Sequence, residues 1–423
     1  MTNVRAGLRA LADRAPRGSL PDGFYEAARA RHRGRRAAAL AAVAVLLVVV
    51  GAGWAVRAGG GPSVPAGGSG PGIATELPVP PWYTGSGGLG VTAAVYGGPA
   101  TTGDWQEGRL AGLSADGDRV RVLGGAVYAA PGFEVLLSPD GTRIAHDGTV
   151  SSLTGGADIR VPGEVRAFSP DGTLVVYQSG GTVGVHDLAR HTDVARVDVG
   201  GSWVVPGFSA AVAPGNDRLA LMTNQAVSVY DLRTSRLLYL LRWADGVLTG
   251  PGAWLPDGSA FATATRTNDV WTVALHAGAD GTVLADRALA PVFDARYLRL
   301  LGWRADGTAV AVAGVPAPGA VSLENSWTTA WGPYTDLGSS GARLVEIRPD
   351  GVREVLRTPA GVRDLDVAAS LAIAGSFLPP GDPGFGARSN PVVYVSSMCV
   401  FVGGAMLAAV LVHRRRVRRR DRG

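Results

Sequence analysis

One turn recurs through the middle of this chain of 423 residues, and its spacing restricts the fold more than any other feature. The strongest copies read Leu136-Leu137-Ser138-Pro139-Asp140-Gly141-Thr142-Arg143-Ile144-Ala145 and Ala167-Phe168-Ser169-Pro170-Asp171-Gly172-Thr173-Leu174-Val175-Val176. Weaker copies follow at Val212–Ala220, Trp254–Ala262 and Gly302–Val310, where Arg304-Ala305 stands in place of Ser-Pro. Ser, Pro and Asp suit successive positions of a type I turn, and the following Gly takes the positive φ that closes a bulged hairpin. Successive turns lie 31, 44, 42 and 49 residues apart, and apart from the short first step that suits one four-stranded unit per repeat. Leu174-Val175-Val176-Tyr177 is apolar on both faces, as a strand sandwiched between neighbouring sheets requires. Farther on, Val183–Leu188 and Val227–Leu232 each place an Asp, Asp187 and Asp231, 17 residues beyond the turn proline.

With these motifs the stretch 85–378 resembles bacterial WD-repeat and TolB-type propellers, whose blades carry an apolar-Ser-Pro-Asp-Gly hairpin and a strand ending in apolar-x-Asp-Leu. It departs from WD repeats in lacking their Gly-His pair and Trp-Asp ending. The resemblance implies an all-β fold and no particular ligand, because propellers host many functions. We expect a six-bladed β-propeller, with seven blades as the alternative count, flanked by two transmembrane α-helices. A degenerate hairpin is expected at 365–374, in a blade with no room for its outer strands. Strands around Val91–Tyr96 and the hairpin 110–123 should therefore complete that blade and remove the exposed sheet edges of an open array.

Ala37 to Val56 is 20 residues without a charge, long enough to cross a hydrocarbon core of about 30 Å. Pro391 to Val412 is the second such stretch. Arg31, Arg33, Arg35 and Arg36 precede the first and Arg414–Arg420 follow the second, so both flanks read as cytoplasmic and the chain between them as extracytoplasmic. A cleaved signal peptide is the rival reading of the first span, but its leader would be unusually long. The expected organisation is a basic leader over 1–36, a span over 37–56, a Gly/Pro-rich stalk over 57–84, the propeller over 85–378, a linker over 379–390, a span over 391–412 and an Arg-rich tail over 413–423. The leader places Val4, Leu8, Leu11 and Ala15 at helical spacing, which suits a short partner-binding helix. The whole arrangement is similar to membrane-anchored WD-repeat proteins of high-GC bacteria.

Charge follows the same division. Leader and tail each carry a net +6, whereas 37–412 carries −7, so the propeller is not a nucleic-acid binder. All 40 basic residues are Arg, as high-GC codon usage would give. The lone cysteine, Cys399, lies in the second apolar stretch, so no disulfide staples the propeller.

Motifs for chemistry are absent from the sequence: no phosphate loop, nucleophile elbow or paired-Glu motif occurs. His186 and His191, with Asp187 and Asp193 nearby, are the one metal-like grouping, and blade-surface polarity explains them better. We expect no cofactor, no metal and no catalytic residue. The long interruption at 314–341 concentrates Trp327, Trp331 and Tyr334 with almost no charge, making them the candidate partner-binding residues. The function read from the sequence is a membrane-tethered extracytoplasmic module, a sensor or scaffold, that binds the lipid bilayer through its anchors and a protein or glycan through the propeller. The alternative is an extracytoplasmic hydrolase built on loops at one propeller face. Acid and base groups clustered at the channel would favour the enzyme, and an aromatic-rich uncharged patch would favour binding.

Overall fold

The computed structural model describes residues 70–379 apart from 79–88, 99–108, 118, 124–130, 203, 205–206, 224–225, 243–245, 268–269, 286–287, 320–338 and 360–361. The leader, both expected spans, the Arg-rich tail and residues 380–390 lie outside the described residues. Among the described residues no helix is long and apolar enough to cross a membrane.

After β1 (Ile73–Ala74) the chain builds six blades around an axis. Blade 1 takes β2 (Thr92–Gly98), β3 (Arg109–Ser114) and β4 (Val120–Leu123). Blade 2 comprises β5 (Leu136–Leu137), β6 (Arg143–His146), β7 (Thr149–Ser152) and β8 (Ile159–Arg160). Blade 3 comprises β9 (Glu164–Phe168), β10 (Leu174–Ser179), β11 (Thr182–Asp187) and β12 (Thr192–Asp198), and blade 4 comprises β13 (Ala210–Val212), β14 (Arg218–Met222), β15 (Ala226–Asp231) and β16 (Arg236–Arg242). Blade 5 has β17 (Val247–Leu248), β18 (Ala260–Thr267) and β19 (Val270–Ala277). Blade 6 has β20 (Leu298–Trp303), β21 (Ala309–Pro316), β22 (Ser339–Arg348) and β23 (Gly351–Arg357). The chain finishes with β24 (Asp364–Val367), helix α1 (Ala369–Ala374) and β25 (Phe377–Leu378). In blades 2 to 6 the sheets run in sequence order from the innermost strand outward. Blade 5 has three regular strands, with Val283 and Val292 bridging to β19 in place of a fourth. The short first step of the repeat reflects the two- and four-residue strands of blade 2.

The repeated turns form as their residues dictate. In blade 3 the buried Ser169 hydroxyl donates to Asp171 at 2.6 Å and accepts from the Leu174 N–H at 2.9 Å, while Asp171 also accepts from the Thr173 N–H at 3.0 Å. Ser138 and Asp140 repeat this arrangement in blade 2. One residue per turn takes positive φ: Gly141, Gly172, Asn216, Gly258 and Gly307. The second motif is equally local. Asp187 accepts from the Ala189 and Arg190 N–H groups and Asp231 from that of Thr234, which closes the β11–β12 and β15–β16 turns. Arg304, where the fifth copy departs from Ser-Pro, reaches Glu346 at 2.6 Å and the Ala372 carbonyl at 3.2 Å.

Burial alone would raise the Asp171 pKa, but the Ser169 hydroxyl, the Thr173 N–H and hydroxyl, and Asn216 outweigh it and hold the carboxyl below the usual aspartate range. Its contribution is complete above the unfolded pKa of about 3.9 and is lost as pH falls through the folded value. Ser169→Ala strands the Leu174 N–H and should lower stability by about 1–3 kcal/mol in urea titration. It should also flatten the acid limb of the stability profile.

Closure is by mixed strands. β24 is the innermost strand of blade 1 and pairs antiparallel with β2, Ala94 facing Val367 and Tyr96 facing Leu365. The N-terminal strands thus complete the C-terminal blade, as expected. Two details differ. Residues 365–374 were expected to form a degenerate hairpin, but only its first part is a strand, because the other strands of that blade are already supplied by β2–β4. The Ala-rich segment instead turns into α1 and stops at Gly375, left-handed at φ 69°. Part of the expected stalk is packed onto the ring: Ile73 is fully buried, and β1 pairs in parallel with β25, with the Ile73 N–H donating to Ser376 at 2.8 Å. This second latch lies outside the periodic pattern.

The core is a circuit of blade-to-blade interfaces. Phe168, Val175 and Tyr177 of blade 3 meet Leu136, Ala145 and Val150 of blade 2. Val176 and Val185 on the opposite face meet Val212, Leu219 and Leu221 of blade 4. The two-faced apolarity of β10 arises from this double contact. Equivalent clusters join blades 4 to 6, blade 6 to blade 1 and blade 1 to blade 2.

Candidate functional site

Six innermost strands (β24, β5, β9, β13, β17 and β20) converge on the axis. Just before β5, β13 and β20 the chain presents Phe133, Phe208 and Tyr297, which come from alternate blades and meet one another. Phe133 lies 4.8 Å from Phe208 and 5.1 Å, edge-on, from Tyr297, with Phe208 and Tyr297 5.8 Å apart. All three are buried, and together they plug this end of the channel.

Next along the axis is a buried ion pair. Arg299 on β20 reaches Asp366 on β24 at 2.7 Å, and both side chains are only 3% exposed. Two backbone donors add to the carboxylate: its other oxygen accepts from the Leu137 N–H at 2.8 Å, and the Val367 N–H adds a bond at 2.9 Å. Arg299 donates also to the Leu365 carbonyl. Room for the guanidinium comes from two glycines. A Cβ at Gly132 would lie 2.6 Å from its Nη2, and one at Gly250 would lie 2.8 Å from its Cγ. Both glycines have positive φ, so substitution would be strained in any case. Asp364, two residues earlier on β24 and buried, is pushed up to about 7 by burial, with Arg363 and Arg299 opposing and the Glu134 charge adding. The Tyr297 hydroxyl, fully buried near it, is raised well above its ordinary value.

The channel opens at the other end, where the Asp-Gly turns lie. There a cavity of about 280 Å³ is ringed by Pro139, Pro170, Pro214 and Pro256, walled on one side by Ser370 and Ile373 of α1, and floored by the Arg299–Asp366 pair. The prolines are those of the repeated turns, so the motif that shapes each blade also shapes the mouth. Trp254 and Trp303 stiffen the wall, their indole N–H groups donating to the Ala211 and Gly252 carbonyls of adjoining blades at 3.0 Å. A space this small and this apolar accepts one or two side chains rather than a drug-sized ligand. Charge is present at the channel, but the floor pair neutralises itself and Asp366 is occupied by three donors, so the lining of the cavity is mainly apolar.

The sequence-derived His186 and His191 do not line this cavity. Trp327, Trp331 and Tyr334 lie outside the described residues, and the strands that carry their loop, β21 and β22, end at Pro316 and Ser339 on the face opposite the cavity. The His186–His191 grouping is not brought together as a metal site. His186 Nδ1 lies 2.8 Å from Asp193 Oδ1, while the Tyr177 hydroxyl and Arg196 Nε donate to Asp193 Oδ2 at 2.5 and 2.7 Å. Burial would raise the Asp193 pKa, but these donors outweigh it and hold the pKa down. Burial and that carboxylate push Tyr177 up to about 12. His191 occupies a left-handed turn position at φ 54°. Among the described residues no group of three His, Cys, Asp or Glu side chains is placed to hold a metal ion. Arg299 and Asp366 escaped the sequence reading, although a lone Arg in the otherwise apolar β20 and two Asp residues alternating with Leu365 and Val367 in β24 were visible signals.

Neither a protein-family profile nor a curated protein sequence matches the chain. Solved structures do resemble it at the level of fold. TolB from Acinetobacter baumannii is 18% identical over 65% of this chain and 65% of its own, with a TM-score of 0.41. A chain of the mitotic checkpoint complex is 14% identical over 67% of this chain and 90% of its own, TM-score 0.39. Kuenenia stuttgartiensis hydrazine synthase is 16% identical over 53% of this chain and 66% of its own, TM-score 0.36. The chain thus spans about two thirds of the TolB and hydrazine synthase chains that it resembles.

Proposed function

We propose that this protein is a membrane-tethered, extracytoplasmic binding module whose propeller receives one or two apolar side chains of a partner protein in the cavity at the Asp-Gly face. The observation that carries this reading is the blind, apolar cavity itself: plugged at one end by three aromatic rings, floored by a self-neutralised ion pair and open at the other end. At its floor the Asp366 carboxylate is taken up by Arg299 and by the Leu137 and Val367 N–H groups. Tethering is supported by the two uncharged stretches and their arginine flanks, and by the β1–β25 pairing, which holds the two ends of the propeller side by side. In intact cells external protease should therefore cut the middle of the chain and spare both ends. A mature N-terminus near Gly59 would overturn the first anchor.

A photoreactive benzoylphenylalanine at Ser370, on the cavity wall, should crosslink a defined partner. The same group at Ser179, in the β10–β11 turn at the opposite end of blade 3, should not. Equal labelling from both sites, or none from Ser370, would remove the cavity as the contact.

Asp364 favours the hydrolase as second reading, since a buried carboxyl near neutrality can act as a general acid. A substrate-like turnover abolished by Asp364→Asn would move the function to that class.

A further inference from the structure

The outermost strand of blade 4 carries a surface that neither the cavity nor the ring uses. β16 reads Arg236-Leu237-Leu238-Tyr239-Leu240-Leu241-Arg242 and is bonded on one edge only, to β15. Leu237, Leu238 and Leu240 are 47%, 48% and 56% exposed, and among the described outer strands no other carries more than one large exposed apolar side chain. Three other outer strands follow the usual protections of a sheet edge. β8 is two residues long, β12 buries Ala195 and Val197 and exposes one apolar residue, Val194, among polar ones that include Asp193 and Asp198, and β23 is covered by the Arg353–Glu346 and Arg357–Glu354 pairs. β16 has neither the shortness, the inward alternation nor the covering ion pairs, and keeps only its terminal arginines and one bulge. It is anchored from behind: Leu241 is buried, the Tyr239 hydroxyl donates to the Gly278 carbonyl of blade 5 at 2.9 Å, and a bulge at Leu238 turns an extra leucine outward.

We propose that β16 is a strand-addition site for an extended segment of a partner protein, about seven residues long, with alternating apolar side chains and an acidic residue at each end. The backbone edge requires a strand, because only a strand pairs its free N–H and C=O groups while covering the leucines. The charge pattern sets the flanks: Arg236 and Arg242 are exposed at the two ends, and no acid lies between them. A second copy of this chain fits poorly. The strand reads the same in both directions, so antiparallel self-pairing places Arg236 opposite Arg242 of the other copy at both ends, and like charges facing across a ladder are unfavourable. A lipid surface would cover the leucines but leave the edge groups without partners.

The test uses the full chain and a fluorescein-labelled peptide, Glu-Glu-Val-Thr-Leu-Thr-Val-Glu-Glu, followed by anisotropy, beside a twin N-methylated at alternate amides. The peptide should bind and the twin should bind at least about tenfold more weakly, since it lacks the donors of one edge. L238T/L240T, exposed changes that suit a strand, should weaken binding about tenfold or more without moving the melting temperature. R236E/R242E should shift preference to a peptide with Lys flanks. Equal binding of the twin, or no binding of the parent peptide at 1 mM, overturns the proposal. Two further results also overturn it: a dimer that L238T/L240T dissociates assigns the edge to a second copy, and retention on phosphatidylglycerol vesicles that the same variant reduces assigns it to lipid.

Discussion

Asp366→Ala should lower the unfolding free energy by about 3–5 kcal/mol, one of the two largest single-residue effects we expect in the propeller. Three consequences combine in that change. Arg299, only 3% exposed, is left as a buried charge without its carboxylate. The Leu137 and Val367 N–H groups lose their acceptor. The seam where blade 6 and blade 2 meet across β24 loses its buried charged tie. The pair need not be net stabilising: replacing both partners by apolar residues of similar volume removes the charges and their desolvation together. R299M/D366L should therefore recover most of the loss suffered by Asp366→Ala. Urea titration of the wild type, both single variants and the double variant measures this. A double variant as unstable as the sum of the singles would show that the backbone contacts, rather than the stranded charge, dominate.

Asp364→Asn should have the opposite sign and raise stability at pH 8. A carboxyl whose pKa moves from 3.8 unfolded to about 7 folded is bound to more proton in the native state. The fold is therefore favoured at low pH, and this contribution is lost as pH rises from the unfolded value through the folded one. Ionising such a group at pH 8 costs about 4 kcal/mol at 1.36 kcal/mol per pKa unit, and relaxation and water entry reduce the gain to roughly 2–4 kcal/mol. The asparagine keeps the shape and does not ionise. The stability of the wild type should fall between pH 4 and 7 by an amount that the variant does not show. Parallel profiles for the two proteins would mean that Asp364 reaches water or a cation when ionised.

The parts of the fold that were legible in advance are those written locally. Ser169, Asp171 and Gly172 specify their turn within four residues, and Asp187 and Asp231 announce the same outer turn by an equal offset. Closure was legible by accounting for strands, since Leu365–Val367 had no outer partners and 91–123 had no inner one. What stayed hidden depends on contacts between distant segments. Arg299 and Asp366 sit on different blades, and nothing near either residue names the other. Helix α1 reads as a weak hairpin until the three other strands of its blade are seen to be filled from the opposite end of the domain. β1 is two residues inside a Gly- and Pro-rich stretch, and only its parallel partner β25 makes it a strand.

The mixed closure sets an order in time. Ala94 waits for Val367, and Thr75 for Leu378, partners about 270–300 residues downstream. At about 5–20 residues per second, roughly 15–60 s of synthesis separate the two halves of blade 1. During that interval β2 has an open edge facing the axis, beside Ala93, Val95 and Tyr96, which end up fully buried. Each later blade can dock on its predecessor as it emerges, so growth is sequential but the last step is a capture between the oldest and newest residues. Delay at that step leaves a nearly complete ring with a sticky seam, open to the same segment of another nascent copy. Folding yield should thus depend on chain concentration and on whatever shields residues 92–97 until β24 arrives, even where the finished ring is stable.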